Sequence, residues 1–200
     1  MFIQTEKTPN PNTMKFYPGE VVLDSGTATF RNKQEASEAS PLAQILFEIP
    51  DVEQVFFGSD FITISKNDLA DWGMLKAQVL TTIMEHYISG KPILSGQSER
   101  KAANMNVANT INEEDSEIVK QIKELIDMKV RPAVAEDGGD IVYQGFNEGV
   151  VYLELHGSCS GCPSSTITLK NGIENMLKHY IPEVVSVEAV NGGNPDNFDL

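Results

Sequence analysis

The chain contains two cysteines, Cys159 and Cys162, in the run Gly157-Ser158-Cys159-Ser160-Gly161-Cys162-Pro163-Ser164-Ser165. Two thiolates at this spacing can close on one metal centre, yet structural zinc sites and iron–sulfur cubes take four protein ligands. One chain therefore supplies half a shell. Either the pair does thiol–disulfide chemistry alone, or two chains meet and share one metal centre.

The neighbouring residues bear on that choice. A strand is expected to end at Leu155 and a helix to open just after Cys162. Pro163 suits the first helical position, where a missing N–H costs nothing. Free N–H groups and the helix dipole at that end favour thiolate, and Ser164 and Ser165 could donate hydrogen bonds to sulfur. Gly161 allows a tight bend, while Gly157 and Ser158 add little bulk. These features predict an exposed, anionic sulfur pair. A buried, inert pair would instead be flanked by apolar side chains. A thioredoxin-like redox pair also sits between a strand and a helix N-terminus, but it requires a parallel βαβ unit, and here the preceding strands read as a hairpin. On spacing alone, redox and metal readings stay open, a zinc-bridged dimer among them.

Other candidate groups are fewer. His156, three residues before Cys159, could complete a mixed Cys/His site. Strand alternation places it with Tyr152 and Glu154, opposite Val151, Leu153 and Leu155, as a half-exposed histidine at a strand end. Asp137 and Asp140 flank Gly138-Gly139 and read as turn formers before a strand. His86 and His179 fall near helix ends, where imidazolium suits the dipole, and neither is given a metal role.

The elements that must position the cysteines divide into an α+β pattern with two small domains. In residues 1–90, Val21–Leu23 and Ala28–Phe30 suggest a hairpin around Asp24-Ser25-Gly26-Thr27. Pro41–Phe47 reads as a short helix, and Val52–Phe57 with Phe61–Ser65 as a second hairpin. Trp72, Leu75, Val79, Ile83 and Tyr87 recur at helical spacing as a core stripe, and Gly90 is placed to stop that helix. Residues 91–112 lack a clean period and read as a flexible linker spanning roughly 25 Å. Residues 113–190 follow the order helix, strand, strand, helix, strand: a helix opening after Ser116 and ended by Arg131-Pro132, a hairpin of Ile141–Phe146 and Val150–Leu155 turning at Asn147-Glu148-Gly149, a helix carrying Leu169, Ile173, Met176, Leu177 and Tyr180, and a strand over Val184–Val190. Residues 191–200 form a tail expected to fray.

Composition limits the partners. A net charge of −14 over 200 residues disfavours nucleic acid and anionic lipid, whose binding needs clustered Lys and Arg. No apolar run approaches the roughly 18 residues that span a bilayer. Met1–Lys7 lacks the basic and apolar regions of a secretory signal, so a reducing, cytoplasmic (bacterial) location is expected, or the mitochondrial matrix for a trimmed eukaryotic precursor.

The segment Glu136-Asp137-Gly138-Gly139-Asp140, taken with the cysteine run, closely resembles the C-terminal domain of NifU-like (Nfu-type) iron–sulfur cluster proteins. Phe2-Ile3-Gln4-Thr5-Glu6 and Thr8-Pro9-Asn10-Pro11-Asn12 resemble that family's N-terminal domain. The resemblance covers nearly the whole chain except linker and tail. It implies a non-enzymatic scaffold or carrier in which Cys159 and Cys162 of two subunits hold one 4Fe-4S cluster, with 2Fe-2S as the lesser option. It also implies a cluster-bridged homodimer and apo iron–sulfur proteins as recipients, and an upstream cluster assembly machinery is expected as donor. Recognition is the task expected of the N-terminal domain, since tethering a partner raises its effective concentration to roughly the millimolar range. The alternative is a thiol–disulfide oxidoreductase using the same cysteines.

Overall fold

The computed structural model describes residues 2–96, 109–112, 114–160 and 163–190, with backbone alone for 163–165. It divides into two compact units, Met1–Met105 and Asn106–Leu200. Among the described residues no helix is long and apolar enough to cross a membrane.

The first unit contains β1 (Gln4–Lys7), β2 (Thr13–Tyr17), β3 (Ala28–Phe30), α1 (Lys33–Ala39), α2 (Pro41–Leu46), β4 (Val52–Phe57), β5 (Ile62–Lys66) and α3 (Trp72–Ser89). Its five strands pair antiparallel in the order β1-β2-β5-β4-β3. Phe16, Val55, Phe57, Ile62 and Ile64 pack with Leu42, Leu46, Leu75, Val79 and Ile83 in one core. The helix ends follow local chemistry. Ser40 closes α1 and caps α2, its hydroxyl accepting from Ala43 N–H ahead of Pro41 at the first position. Gly90 ends α3 in the left-handed conformation, with φ 64°. Between β4 and β5, a Cβ on Gly58 would lie 2.5 Å from the Phe61 ring, so only glycine lets that ring fold over the turn.

Two expectations for this unit need correction. Val21–Leu23 is not a strand: the N–H groups of Val22 and Leu23 both donate to the Ser59 carbonyl, and β3 pairs with β4. The buried side chains of Val22 and Leu23 explain the apolar signal, since they fill core without joining the sheet. The first hairpin is β1–β2, whose first strand, Gln4-Thr5-Glu6-Lys7, is mostly exposed. The stretch 91–96 also belongs to this unit rather than to a linker. Leu94 is buried in the core, Ser95 N–H donates to Ala39 O at 2.8 Å, and Ser40 Oγ donates to Ile93 O.

In the second unit, α4 (Glu117–Leu125), a π-helical turn (Ile126–Val130) and α5 (Arg131–Glu136) run in succession. They are followed by β6 (Gly139–Asn147), β7 (Val150–Gly157), α6 (Pro163–Tyr180) and β8 (Ser186–Val190). β6 and β7 form an antiparallel hairpin, and β8 lies parallel to β7. Glu148 (φ 47°) and Gly149 (φ 83°) make its two-residue turn, the left-handed pair that matches strand twist. Ile122, Ile126, Val130, Val134, Ile141, Leu153, Leu155, Ile173 and Leu177 share the core. Arg131-Pro132 does not end the helical run as expected. The Arg131 N–H reaches back to Ile126 O, five residues, and this wider turn leads into α5 with Pro132 in its first turn, where its absent N–H is tolerated. Asn109, expected in the linker, belongs here. Its amide donates to Ile141 O at 2.9 Å and accepts from Tyr143 N–H at 2.7 Å, closing the free edge of β6. The expected tail lies outside the described residues.

Candidate functional site: the cysteine loop on its diglycine seat

The loop bearing Cys159 leaves β7 at Gly157, where φ is 64°, and the chain re-enters helix at Pro163. The helix thus opens where the sequence places it. Gly161 and Cys162 lie outside the described residues, as do the side chains of Ser164 and Ser165, so their expected roles at the sulfurs are not part of this geometry.

The segment Asp137–Asp140 forms the seat on which this loop rests. Gly138 (φ 84°) turns the chain out of α5, and β6 starts at Gly139, in register with Gly157. Ser158 N–H donates to Gly138 O at 3.1 Å, and Ser158 Oγ donates to the Asp137 carbonyl. Ser160 closes the turn through its N–H and hydroxyl, both donating to Gly157 O. Thr166 Oγ1, in the first turn of α6, donates to Cys159 O at 3.1 Å. A Cβ on Gly139 would stand 2.5 Å from His156 O and 2.7 Å from Cys159 Sγ. Bare backbone at this position is therefore what lets the sulfur settle. The two separate motifs of the sequence are one contact in space.

The seating corrects the expected chemistry of the loop. Cys159 is 6% exposed, not open to solvent. Burial pushes its thiol up to about 11; the Ser158 hydroxyl 3.8 Å away opposes this, and Asp137 and Asp140 reinforce it. Small flanking residues were expected to leave sulfur exposed. They instead let two backbone segments close around it.

Asp140 does more than form a turn. It is buried and accepts two hydrogen bonds from Arg131, Nε to Oδ1 at 2.9 Å and Nη2 to Oδ2 at 3.1 Å. Arg131 also meets Asp127 at 2.8 Å. The fork bolts the π-turn–α5 junction to the strand that seats the cysteine, and the Asp140 contact raises the guanidinium's proton affinity further. Sequence reading used Arg131 only as a stop signal; no local pattern pairs it with Asp140.

His156, expected half-exposed, is 1% exposed, its Nε2 lying 3.5 Å from Glu154 Oε1. The expected alternation holds on the other face, where Val151, Leu153 and Leu155 enter the core. Among the described residues, which do not include Cys162, no group of three or more His, Cys, Asp or Glu side chains could hold a metal. His86 is buried in the last turn of α3, and loss of solvation lowers its pKa, favouring neutral imidazole over the expected imidazolium. His179 packs edge-on to Tyr180 at 5.0 Å in the last turn of α6.

Fold and site together define a two-unit α+β protein whose second unit holds Cys159 against a diglycine seat. Two family models account for most of its length: the scaffold protein Nfu/NifU N-terminal domain over residues 3–90 and the NifU-like domain over residues 122–188. The chain belongs to the Nfu/NifU scaffold-protein family. It is 52% identical over 190 residues to the NFU1 iron-sulfur cluster scaffold homolog, mitochondrial, of Drosophila willistoni, covering 95% of this chain and 64% of that protein. It is 51% identical over 191 residues to the Homo sapiens protein of the same name, covering 95% of this chain and 72% of that one. A solution NMR structure of a NifU-like protein from Saccharomyces cerevisiae matches 48% of this chain and 85% of its own, at 29% identity and a TM-score of 0.43. The two curated relatives are named mitochondrial, which gives the bacterial cytoplasmic expectation no support.

Proposed function

We propose that this chain is a non-enzymatic carrier that binds a 4Fe-4S cluster between two subunits, through Cys159 and Cys162 of each, and transfers it to apo iron–sulfur proteins. The observation that carries the reading is the joining of the Glu136–Asp140 motif to the cysteine loop within the span that matches the NifU-like domain. The relatives' names, iron-sulfur cluster scaffold, supply the cargo class. Thiolate sulfur is the donor that iron–sulfur clusters take, and two chains together provide the four that a cube needs. The cluster is cargo: with half its ligands on each subunit, an incoming thiolate can replace one cysteine while three still hold. We also place the chain in the mitochondrial matrix, receiving clusters from an upstream assembly machinery. Partner recognition is assigned to residues 1–90 and cluster binding to 113–190. The oxidoreductase alternative finds no support in the comparisons.

The test is transfer. Loaded protein should activate an apo 4Fe-4S enzyme without nucleotide, and activation should persist when a strong iron chelator is present. Activation that collapses with chelator would mean leakage of free iron, and the carrier reading would fail.

A further inference from the structure

Cys159 has no room for a metal in the seat that holds it. The residue is 6% exposed, and its sulfur packs so closely on Gly139 that a Cβ there would stand 2.7 Å away. A metal bound to thiolate stands about 2.3 Å from the sulfur and brings further ligands with it. A second, open arrangement of the loop is needed for ligation. We propose that Ser158 latches the cysteine loop shut on its seat, and that the loop must swing open before Cys159 can take iron. The opening is a property of the chain itself; its link to loading rests on the carrier reading above.

Three features locate the moving part. The sheet stops short of it: Gly139 and Gly157 are the end pair of the β6–β7 ladder, so residues beyond Gly157 can move without breaking a strand pair. The turn also holds together by itself. Ser160 donates from its N–H and its hydroxyl to Gly157 O, at 3.1 and 2.8 Å, and those bonds travel with the loop. Gly157, at φ 64°, supplies a hinge with no Cβ to restrict it. Finally, Ser158 spans the gap between the loop and the seat. Its N–H donates to Gly138 O at 3.1 Å and its Oγ to the Asp137 carbonyl, and the residue is 3% exposed when both bonds are made. Opening costs these bonds and the burial of two small side chains, the scale of a local fluctuation rather than of global unfolding. A closed loop withholds the sulfur from free metal ions and oxidants and yields it to a donor that meets the open form. Loading is then slowed by the fraction of chains that are open.

The experiment measures the opening twice. In the cluster-free full chain carrying Cys162→Ala, Cys159 is the single thiol, and its alkylation by iodoacetamide is followed by mass spectrometry over a urea series. Alkylation is expected to be at least about tenfold slower than in the unfolded chain, and flat through low urea, because a local opening exposes little surface. Ser158→Ala should speed it roughly tenfold, the worth of one hydrogen bond, while the circular-dichroism melt holds. The Ser158 hydroxyl also favours thiolate, so its removal would slow alkylation if that were its role. Alkylation as fast as in the unfolded chain, alkylation that tracks global unfolding, or no acceleration in Ser158→Ala overturns the latch. Amide exchange at Ser158 in the unaltered chain should report the same opening constant. Should a variant fail to fold, exchange that is unprotected or follows global unfolding overturns the latch by itself. Reconstitution with iron and sulfide then tests the link: Ser158→Ala should load roughly tenfold faster, and an unchanged rate takes the latch off the loading path and overturns that half of the proposal. A chain that never loads refutes the carrier reading and leaves the latch to the alkylation result.

Discussion

Gly58 and Gly139 solve the same steric problem in the two units. Each gives up a side chain so that another group can lie 2.5–2.7 Å from where its Cβ would stand. At Gly58 the guest is the ring of Phe61, a hydrocarbon that belongs inside whatever the protein is doing. At Gly139 the guest is the sulfur of Cys159, a group that must leave its proton to bind a metal. The first unit uses close packing to make a fold; the second uses it to hold a reactive atom in reserve. In the second, the reactive group is the one that is hidden.

The largest expected effect falls on the second unit alone. Cys159→Ala or Cys162→Ala should each abolish stable loading, because the chain has no third cysteine to substitute, while far-UV circular dichroism stays unchanged. A full iron and sulfide complement on either variant would break the assignment.

Alanine at the two glycines sharpens the contrast. Gly139→Ala must displace the His156 carbonyl or the Cys159 sulfur and should cost roughly 1–3 kcal/mol in the second unit, with weakened cluster retention. Gly58→Ala should cost a similar roughly 1–3 kcal/mol in the first unit, with loading unaffected. Urea titration followed by Trp72 fluorescence for the first unit, and by cluster absorbance for the second, separates them. Loss of loading in Gly58→Ala would show that the two seats are not independent.

What the sequence made legible was periodic or punctuated. Pro41 opening α2, Gly90 closing α3, the β4–β5 hairpin, the Glu148-Gly149 turn and the Trp72–Ile83 stripe all rest on neighbours within a few residues. What escaped it lies in two classes. Strand β1 has no apolar alternation, because Gln4–Lys7 is an edge that is largely solvated. The π-turn at Ile126–Val130 likewise breaks the period it interrupts. The second class is long-range. Cys159 is buried by Gly139, twenty positions earlier, and Asp140 is held by Arg131 from the preceding helix. The motifs identified the participants at the site, but only their pairing in space shows that one is the seat of the other.

A smaller effect distinguishes the first unit by pH. Burial lowers the pKa of His86, outweighing the backbone hydrogen bonds at Pro92 and Lys91 that favour its charged form, so the unfolded chain takes the proton first as pH falls. Stability of the first unit should be full above about 6.5, the ordinary histidine value, and decline below it toward the lowered folded value. His86→Gln should flatten that decline between pH 7 and 5 in thermal melts. An unchanged slope would assign the titration to other groups.

The central claim, that two chains share one cluster through paired cysteines, is tested most directly by native mass spectrometry of the anaerobically loaded chain. The account predicts one species of two chains carrying a single 4Fe-4S cluster, which reverts to monomer when the cluster is removed. A monomer retaining a whole cluster, or a dimer that persists unchanged without one, would contradict it.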